Sequence, residues 1–249
     1  MFTKITLENF RSFDHIELDL TEKGNTAKHL AILYGENGAG KSNLMSAFVL
    51  LPELTRTMDA RAAYERILAQ GAIFQDENME KEMREHIRQR LRDMSAIIKD
   101  YQMADCENPI IAEYEFNIDG NNGCYRVEFG QDEILHERLE FVLNRRRGLY
   151  FDCSATGINI NDSIIEKEQG KEFLADVKEM AKRYWGKHSL LAILIYEMKD
   201  KSNSFGRDNI TENFNAVLNE FRNLSCTVSM GDKSWEGLHA QLKVLNQPL

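Results

Sequence analysis

From residue 3 to residue 20 the chain alternates between apolar and polar positions. Ile5 and Leu7, then Ile16, Leu18 and Leu20, fall on one face, with Thr6, Glu8, Glu17 and Asp19 on the other. That pattern predicts two paired strands turning at Asn9-Phe10-Arg11-Ser12-Phe13. A polar stretch from Thr21 to Lys28 separates the hairpin from Leu30-Ala31-Ile32-Leu33-Tyr34, an unbroken apolar run suited to a strand covered on both faces. The run Asn43-Leu44-Met45-Ser46-Ala47-Phe48-Val49-Leu50-Leu51 then reads as a helix.

Residues 53 to 104 are nearly free of Gly and Pro and rich in Arg, Glu, Met and Ala, which predicts two long helices broken near Gly71. The second carries a narrow seam at Ile87, Leu91, Met94, Ile98 and Tyr101, like the a/d positions of a short coiled coil. Two readings follow: packing against the neighbouring helix, or an arm that binds a protein partner.

From Pro109 the period becomes two. Ile110, Ala112, Tyr114, Phe116 and Ile118 face one way, Asp119-Gly120-Asn121-Asn122-Gly123 turns the chain, and Tyr125, Val127 and Phe129 continue the pattern. Further strands are predicted over Leu135 to Leu143 and Leu149 to Cys153, with Asn144-Arg145-Arg146-Arg147-Gly148 as the turn between them. Ile164 to Trp185, Ser189 to Met198 and Ile210 to Leu224 read as helices.

At 249 residues and 43% hydrophobic content the chain can bury a substantial core. A net charge of -9 removes any global attraction to nucleic acid or anionic membrane, so such binding has to be local. Cys106, Cys124, Cys153 and Cys226 form no CxxC pair and suggest neither a zinc site nor a disulfide framework. The longest apolar run, Leu190 to Tyr196, is far short of the ~20 residues that span a bilayer. The N-terminus lacks a signal-peptide layout, and a cytoplasmic location is expected.

The densest chemistry lies between the apolar run and the helix. Gly35-Glu36-Asn37-Gly38-Ala39-Gly40-Lys41-Ser42 has the spacing of a phosphate loop. Glycines let backbone N–H groups close around phosphate oxygens, Lys41 reaches the β and γ phosphates, and the Ser42 hydroxyl ligates Mg2+. Lys41 is the candidate catalytic residue, Gly35 through Asn43 are the candidate nucleotide-binding residues, and Ser42 is the candidate metal ligand. ATP and Mg2+ are the expected cofactors. The expected fold is α/β, a P-loop NTPase lobe with an antiparallel β-meander and a helical insertion. Its units are expected at 1–52 (hairpin and P-loop), 53–106 (insertion), 107–155 (meander) and 156–249 (helices), together one composite lobe.

The opening strand ending in Asn9-Phe10-Arg11-Ser12-Phe13, the loop GENGAGKS about twenty residues later, and Asn43-Leu44 at the helix start resemble the N-terminal lobe of ABC-type ATPase heads. Those heads occur in RecF, SMC and OLD-family proteins, and the resemblance is nearest to bacterial OLD-like AAA family ATPases of phage-defence and abortive-infection loci. The resemblance implies nucleotide-driven association with a second ATPase head. It also implies that Arg11 and Ser12 approach the nucleotide from the hairpin; the other reading of Arg11 is a solvated turn residue paired with Asp14 or Glu17. A complete head would add a Leu-Ser-Gly-Gly-like signature, a Walker B strand ending in Asp-Glu and a switch histidine. Ile193-Leu194-Ile195-Tyr196-Glu197 lacks the Walker B aspartate and reads as a buried helix, Ser229-Met230-Gly231-Asp232 is a poor signature, and Gln131 reads as a solvated turn residue rather than a Q-loop glutamine. The expectation is a lobe truncated before Walker B, binding ATP but turning it over poorly alone.

Two other readings stand beside it. One is a self-contained small P-loop kinase or NTPase, against which no Asn-Lys-x-Asp motif is present. The other is a nucleic-acid-binding module with a degenerate ATP-sensing site, in which Arg145, Arg146 and Arg147 touch phosphate. Arg84, Arg88, Arg90 and Arg92 are interleaved with Glu82, Glu85 and Asp93, the pattern of a solvated helix face.

Overall fold

A computed structural model describes residues 1–22, 26–59, 61–62, 65, 93–143, 145–166, 170–200 and 210–224. Its centre is a seven-stranded antiparallel sheet in the order β2-β1-β3-β4-β5-β6-β7. The strands are β1 (Phe2–Phe10), β2 (Phe13–Asp19), β3 (Ile110–Ile118), β4 (Asn121–Phe129), β5 (Ile134–Leu143), β6 (Arg146–Ser154) and β7 (Gly157–Ile160). The helices are α1 (Lys41–Leu54), α2 (Met94–Tyr101), α3 (Gly170–Tyr184), α4 (Leu190–Asp200) and α5 (Glu212–Arg222).

The hairpin and the meander are one structure. β1 pairs on one side with β2, with Leu7 opposite Ile16, and on the other with β3, with Leu7 opposite Ala112. Alternation keeps every second side chain on one face, so Ile5, Leu7, Ala112, Tyr114, Phe116, Tyr125, Val127, Leu139, Phe141 and Phe151 form a continuous apolar surface, all buried. Helices α1 and α5 lie on that surface. Phe221 of α5 is buried against the rings of Phe2, Phe116 and Tyr125, and the Tyr114 hydroxyl donates to the Ala47 carbonyl of α1 at 2.7 Å. Buried aromatic rings of this size dominate core energetics, and truncating Phe221 to Ala removes about 3–5 kcal/mol.

The opposite face is polar. Across it Arg126 bonds to Glu113 and Glu128, Arg138 to Glu140 and Asp152, Arg147 to Glu140, and His136 to Asp152. Opposite charges on neighbouring strands compensate one another there.

Several expectations change. Leu30–Tyr34 is not a strand: it has no ladder partner among the described residues, and Leu30, Ile32 and Tyr34 are 75%, 74% and 92% exposed. A strand buried on both faces needs a neighbour along each edge and a layer over each face, and the antiparallel sheet supplies neither at this position. The turn expected at Asn144–Gly148 is shorter. Leu143 pairs with Arg146, and Arg146 and Arg147 belong to β6. Likewise Ile118 pairs with Asn121, so the earlier hairpin turns on Asp119 and Gly120 alone, at φ 50° and 78°, as a two-residue loop with both residues left-handed demands. β7 was not foreseen, because Gly157-Ile158-Asn159-Ile160 is too short for a pattern to register. The helix expected from Ile164 starts at Gly170, after a 3-10 turn at Asp162–Ile164. Of the insertion seam, Met94, Ile98 and Tyr101 are buried in the core, the packing reading; Ile87 and Leu91 lie outside the described residues, as do Gly71, Arg84, Arg88, Arg90, Arg92, Cys226 and Ser229–Asp232.

Candidate functional site: a phosphate loop beneath a hairpin turn

The loop 35–40 ends in two glycines with left-handed backbone, Gly38 at φ 89° and Gly40 at φ 82°. Gly40 has a second reason to lack a side chain. A Cβ there would lie 2.7 Å from Cζ of Phe13, so the first residue of β2 closes against the start of α1. Gly40 is the N-cap of α1 and offers no side-chain cap, and the first turn carries no acidic residue. The Leu44 N–H bonds to the Gly40 carbonyl at 2.9 Å, which leaves the N–H groups of Lys41, Ser42 and Asn43 without intrahelical acceptors. An uncapped helix N-terminus with no carboxylate beside it concentrates partial positive charge and attracts an anion.

Lys41 lies across this loop, its Nζ 2.7 Å from the Gly35 carbonyl and 2.6 Å from the Glu36 carbonyl. Its ammonium is therefore held at the loop rather than extended into solvent. Ser42 is exposed on the first turn, so its hydroxyl is available to a ligand. Gly35, Glu36, Asn37, Gly38 and Ala39 are also exposed, and within the loop the Ala39 N–H bonds to the Glu36 carbonyl at 3.2 Å. These features fit a phosphate chain: first-turn N–H groups without helix acceptors, one ammonium, one hydroxyl and no acidic residue in the first turn of the helix. Among the described residues no cluster of three His, Cys, Asp or Glu side chains is placed to hold a metal.

The hairpin turn reaches the same place. Asn43 Nδ2 donates to Ser12 Oγ at 2.7 Å, tying the turn to the first turn of α1. Arg11 is left-handed at φ 52°, its N–H bonds to the Tyr101 carbonyl at 2.8 Å, and its guanidinium lies over the Tyr101 ring at 5.0 Å from the centroid. Its Nε is buried without a hydrogen-bond partner. The pairing with Asp14 or Glu17 is not formed: Arg11 stacks on a ring.

The other expected sites fall elsewhere. Gln131 is exposed in the turn between β4 and β5. Ile193–Glu197 lies within α4, with Ile193, Leu194 and Ile195 in the core. Arg145, Arg146 and Arg147 are all exposed, and Arg147 bonds to Glu140 on the polar sheet face at 2.7 Å.

Sequence reasoning missed Glu137. It is buried in β5, 0% exposed, and accepts from the Tyr125 hydroxyl at 2.9 Å, the Trp185 indole N–H at 3.0 Å and the Leu190 N–H at 2.7 Å. Burial pushes its pKa up to about 7, while those donors and the Leu191 N–H pull the other way. The signal was present in the chain: Glu137 falls on the same alternation as Leu139 and Phe141, on the apolar phase of its strand. Next to the helix it caps, Ser189 Oγ donates to the Leu54 carbonyl at the end of α1, at 2.8 Å.

The family model of the AAA ATPase domain matches residues 1–223, and the chain belongs to that family. No curated protein matches it. Among the described residues no helix is long and apolar enough to cross a membrane.

Proposed function

From membership of the AAA ATPase domain family we propose that this chain binds ATP with Mg2+ through residues 35–43, as one lobe of an ABC-type ATPase head of the RecF, SMC and OLD-like group. The observation that carries the reading is the uncapped N-terminus of α1 behind left-handed Gly40, with Lys41 held across the loop. The backbone N–H groups of the first turn take phosphate oxygens, Lys41 neutralises the β and γ phosphates, and the Ser42 hydroxyl holds the cation. Mg2+, when bound, spreads the charge of the transferring phosphoryl group. Arg11 and Ser12 bound the site from the hairpin.

Exposure of Leu30, Ile32 and Tyr34 directly before the loop supports the second part of the reading: an apolar strand-forming segment in water is a surface for another strand. Positioning of attacking water then belongs to a complementary lobe and a second head, and turnover follows their association. The role we attach to this is that of the group it resembles, DNA repair or defence against phage.

The test is a calorimetric titration of the chain with ATP and Mg2+ beside Lys41→Ala, with phosphate release read in the same samples. Binding that Lys41→Ala loses, without release, is the expected result. Release by the chain alone would return a self-contained enzyme to first place, and equal binding by both proteins would remove the phosphate-loop assignment.

A further inference from the structure

The turn that stands over the phosphate loop is held from two sides. On one side are the contacts already described: Ser12 Oγ with Asn43 Nδ2, and the Phe13 ring against Gly40. On the other is the end of the insertion, where α2 runs out at Tyr101. Arg11 N–H bonds to the Tyr101 carbonyl, and Met103 N–H bonds to the Asn9 carbonyl at 3.2 Å. Phe10 bridges to Gln102 and stacks its ring on Tyr101 at 5.1 Å, 24° from parallel. The Arg11 guanidinium lies over Tyr101.

Tyr101 reaches α1 as well. Its hydroxyl donates to Glu53 at 2.9 Å, in the last turn of the helix whose first turn forms the phosphate site. Tyr101 is 2% exposed, so its ring sits in the core. Asn9 and Arg11 both adopt φ 52°; with Phe10 opposite Phe13, Arg11 opens a two-residue hairpin loop, where that conformation is expected. The contacts from α2 and the residues that follow it hold this turn against the core.

We propose that Tyr101 is a positioning residue for nucleotide binding, seating the Asn9–Ser12 turn so that Ser12 meets Asn43 at the head of α1. The proposal rests on the nucleotide-binding reading above. It makes the exit of the 53–106 insertion part of the support of the phosphate loop. By reciprocity of coupling, whatever shifts α2 shifts ATP affinity, and ATP shifts α2 in return.

The experiment is a double-mutant cycle in the full chain, with the Kd for ATP and Mg2+ as readout and the melting temperature as a check of folding. Tyr101 and Asn43 sit on opposite sides of the turn. If they act independently, their effects multiply; if both act through the turn, the second substitution adds little. The expected result is about tenfold weaker binding for Tyr101→Ala and for Asn43→Ala, and about tenfold, not a hundredfold, for the pair. Tyr101→Phe keeps the ring beneath Arg11 and is expected to restore affinity to within about twofold. Should Tyr101→Ala not fold, Tyr101→Leu takes its place, filling volume without a flat face for the guanidinium. Wild-type affinity in a folded Tyr101→Ala or Tyr101→Leu protein, or multiplying effects, overturns the proposal. Lys41→Ala in the same titration separates the failures. If it binds as wild type does, the nucleotide reading falls and this proposal with it; if it loses binding while Tyr101 variants keep theirs, only this proposal falls.

Discussion

Two polar sites in this protein are built on opposite plans. At the phosphate loop, the first-turn N–H groups of α1 lack helix acceptors, the loop residues are exposed, and the charged group, Lys41, rests on carbonyls of its own loop. At Glu137, 0% exposed, the carboxyl group accepts from a tyrosine, an indole and the first N–H of α4, and so caps that helix. Both sites use a helix N-terminus. One is closed by the protein's own carboxyl group, and the other has no side-chain cap. The difference teaches what separates the two helix starts: a buried end needs a partner from the protein itself, while an exposed end without a cap or an acid can take its partner from solvent or from a bound anion.

The comparison breaks most easily at Glu137. Glu137→Ala leaves three donors unpaired in the core, and a loss of about 4 kcal/mol of stability is expected in a denaturant melt. A variant as stable as wild type would show that the closed site is not scaffold at all.

The pH dependence sharpens it next. The Glu137 pKa in the folded protein lies above its usual value of 4.5, so its contribution is full below that pH and is lost as pH rises through about 7. His188, two residues before α4, runs the other way. Burial and the nearby Arg61 push its pKa from 6.5 down to about 4, so its contribution is present above 6.5 and lost as pH falls through about 4. The two dependences offset each other across the same window. Glu137→Gln removes one of them. The variant is expected to lose stability on acidification from pH 6.5 to pH 4 by up to about 3 kcal/mol more than wild type does, read from urea melts at stepped pH. Parallel curves for the two proteins would refute the opposition.

At the open site the effect belongs on the ligand and not on the fold. Lys41→Ala should weaken ATP binding by about a hundredfold, near 2.7 kcal/mol. Its unfolding free energy should stay within about 0.5 kcal/mol of wild type. A large loss of stability would mean that Lys41 holds its own loop together through Gly35 and Glu36.

The smallest effect tests the segment leading into the loop. Ile32→Lys places a charge at a side chain already 74% exposed, so the isolated chain should melt within about 0.5 kcal/mol of wild type. A strong destabilisation would show that Leu30–Tyr34 already packs within this chain, and would remove the support it lends to a complementary lobe.

Local patterns were legible in the chain. The hairpin, the first two meander strands, α1, α4 and α5 follow from period and turn chemistry, and residues 35–42 announce phosphate chemistry through spacing alone. Where the reading erred, long-range partners decided. Leu30–Tyr34 has the composition of a buried strand, but burial requires neighbours that composition does not name. Arg147 looked like a free turn arginine until register placed it beside Glu140. Tyr101 looked like one member of a helical seam, and its role under Arg11 depends on a turn ninety positions earlier in the chain.

The sequence by itself determined the chemistry of the phosphate loop and the type of most elements, because glycine conformations, helix starts and side-chain alternation are set within a few neighbouring residues. Only the tertiary structure decided that hairpin and meander share one sheet, that Glu137 caps α4 within the core, and that Tyr101 carries the turn above the loop. Those contacts join residues distant in sequence, and their energies come from burial and pairing that exist only once the chain has closed on itself.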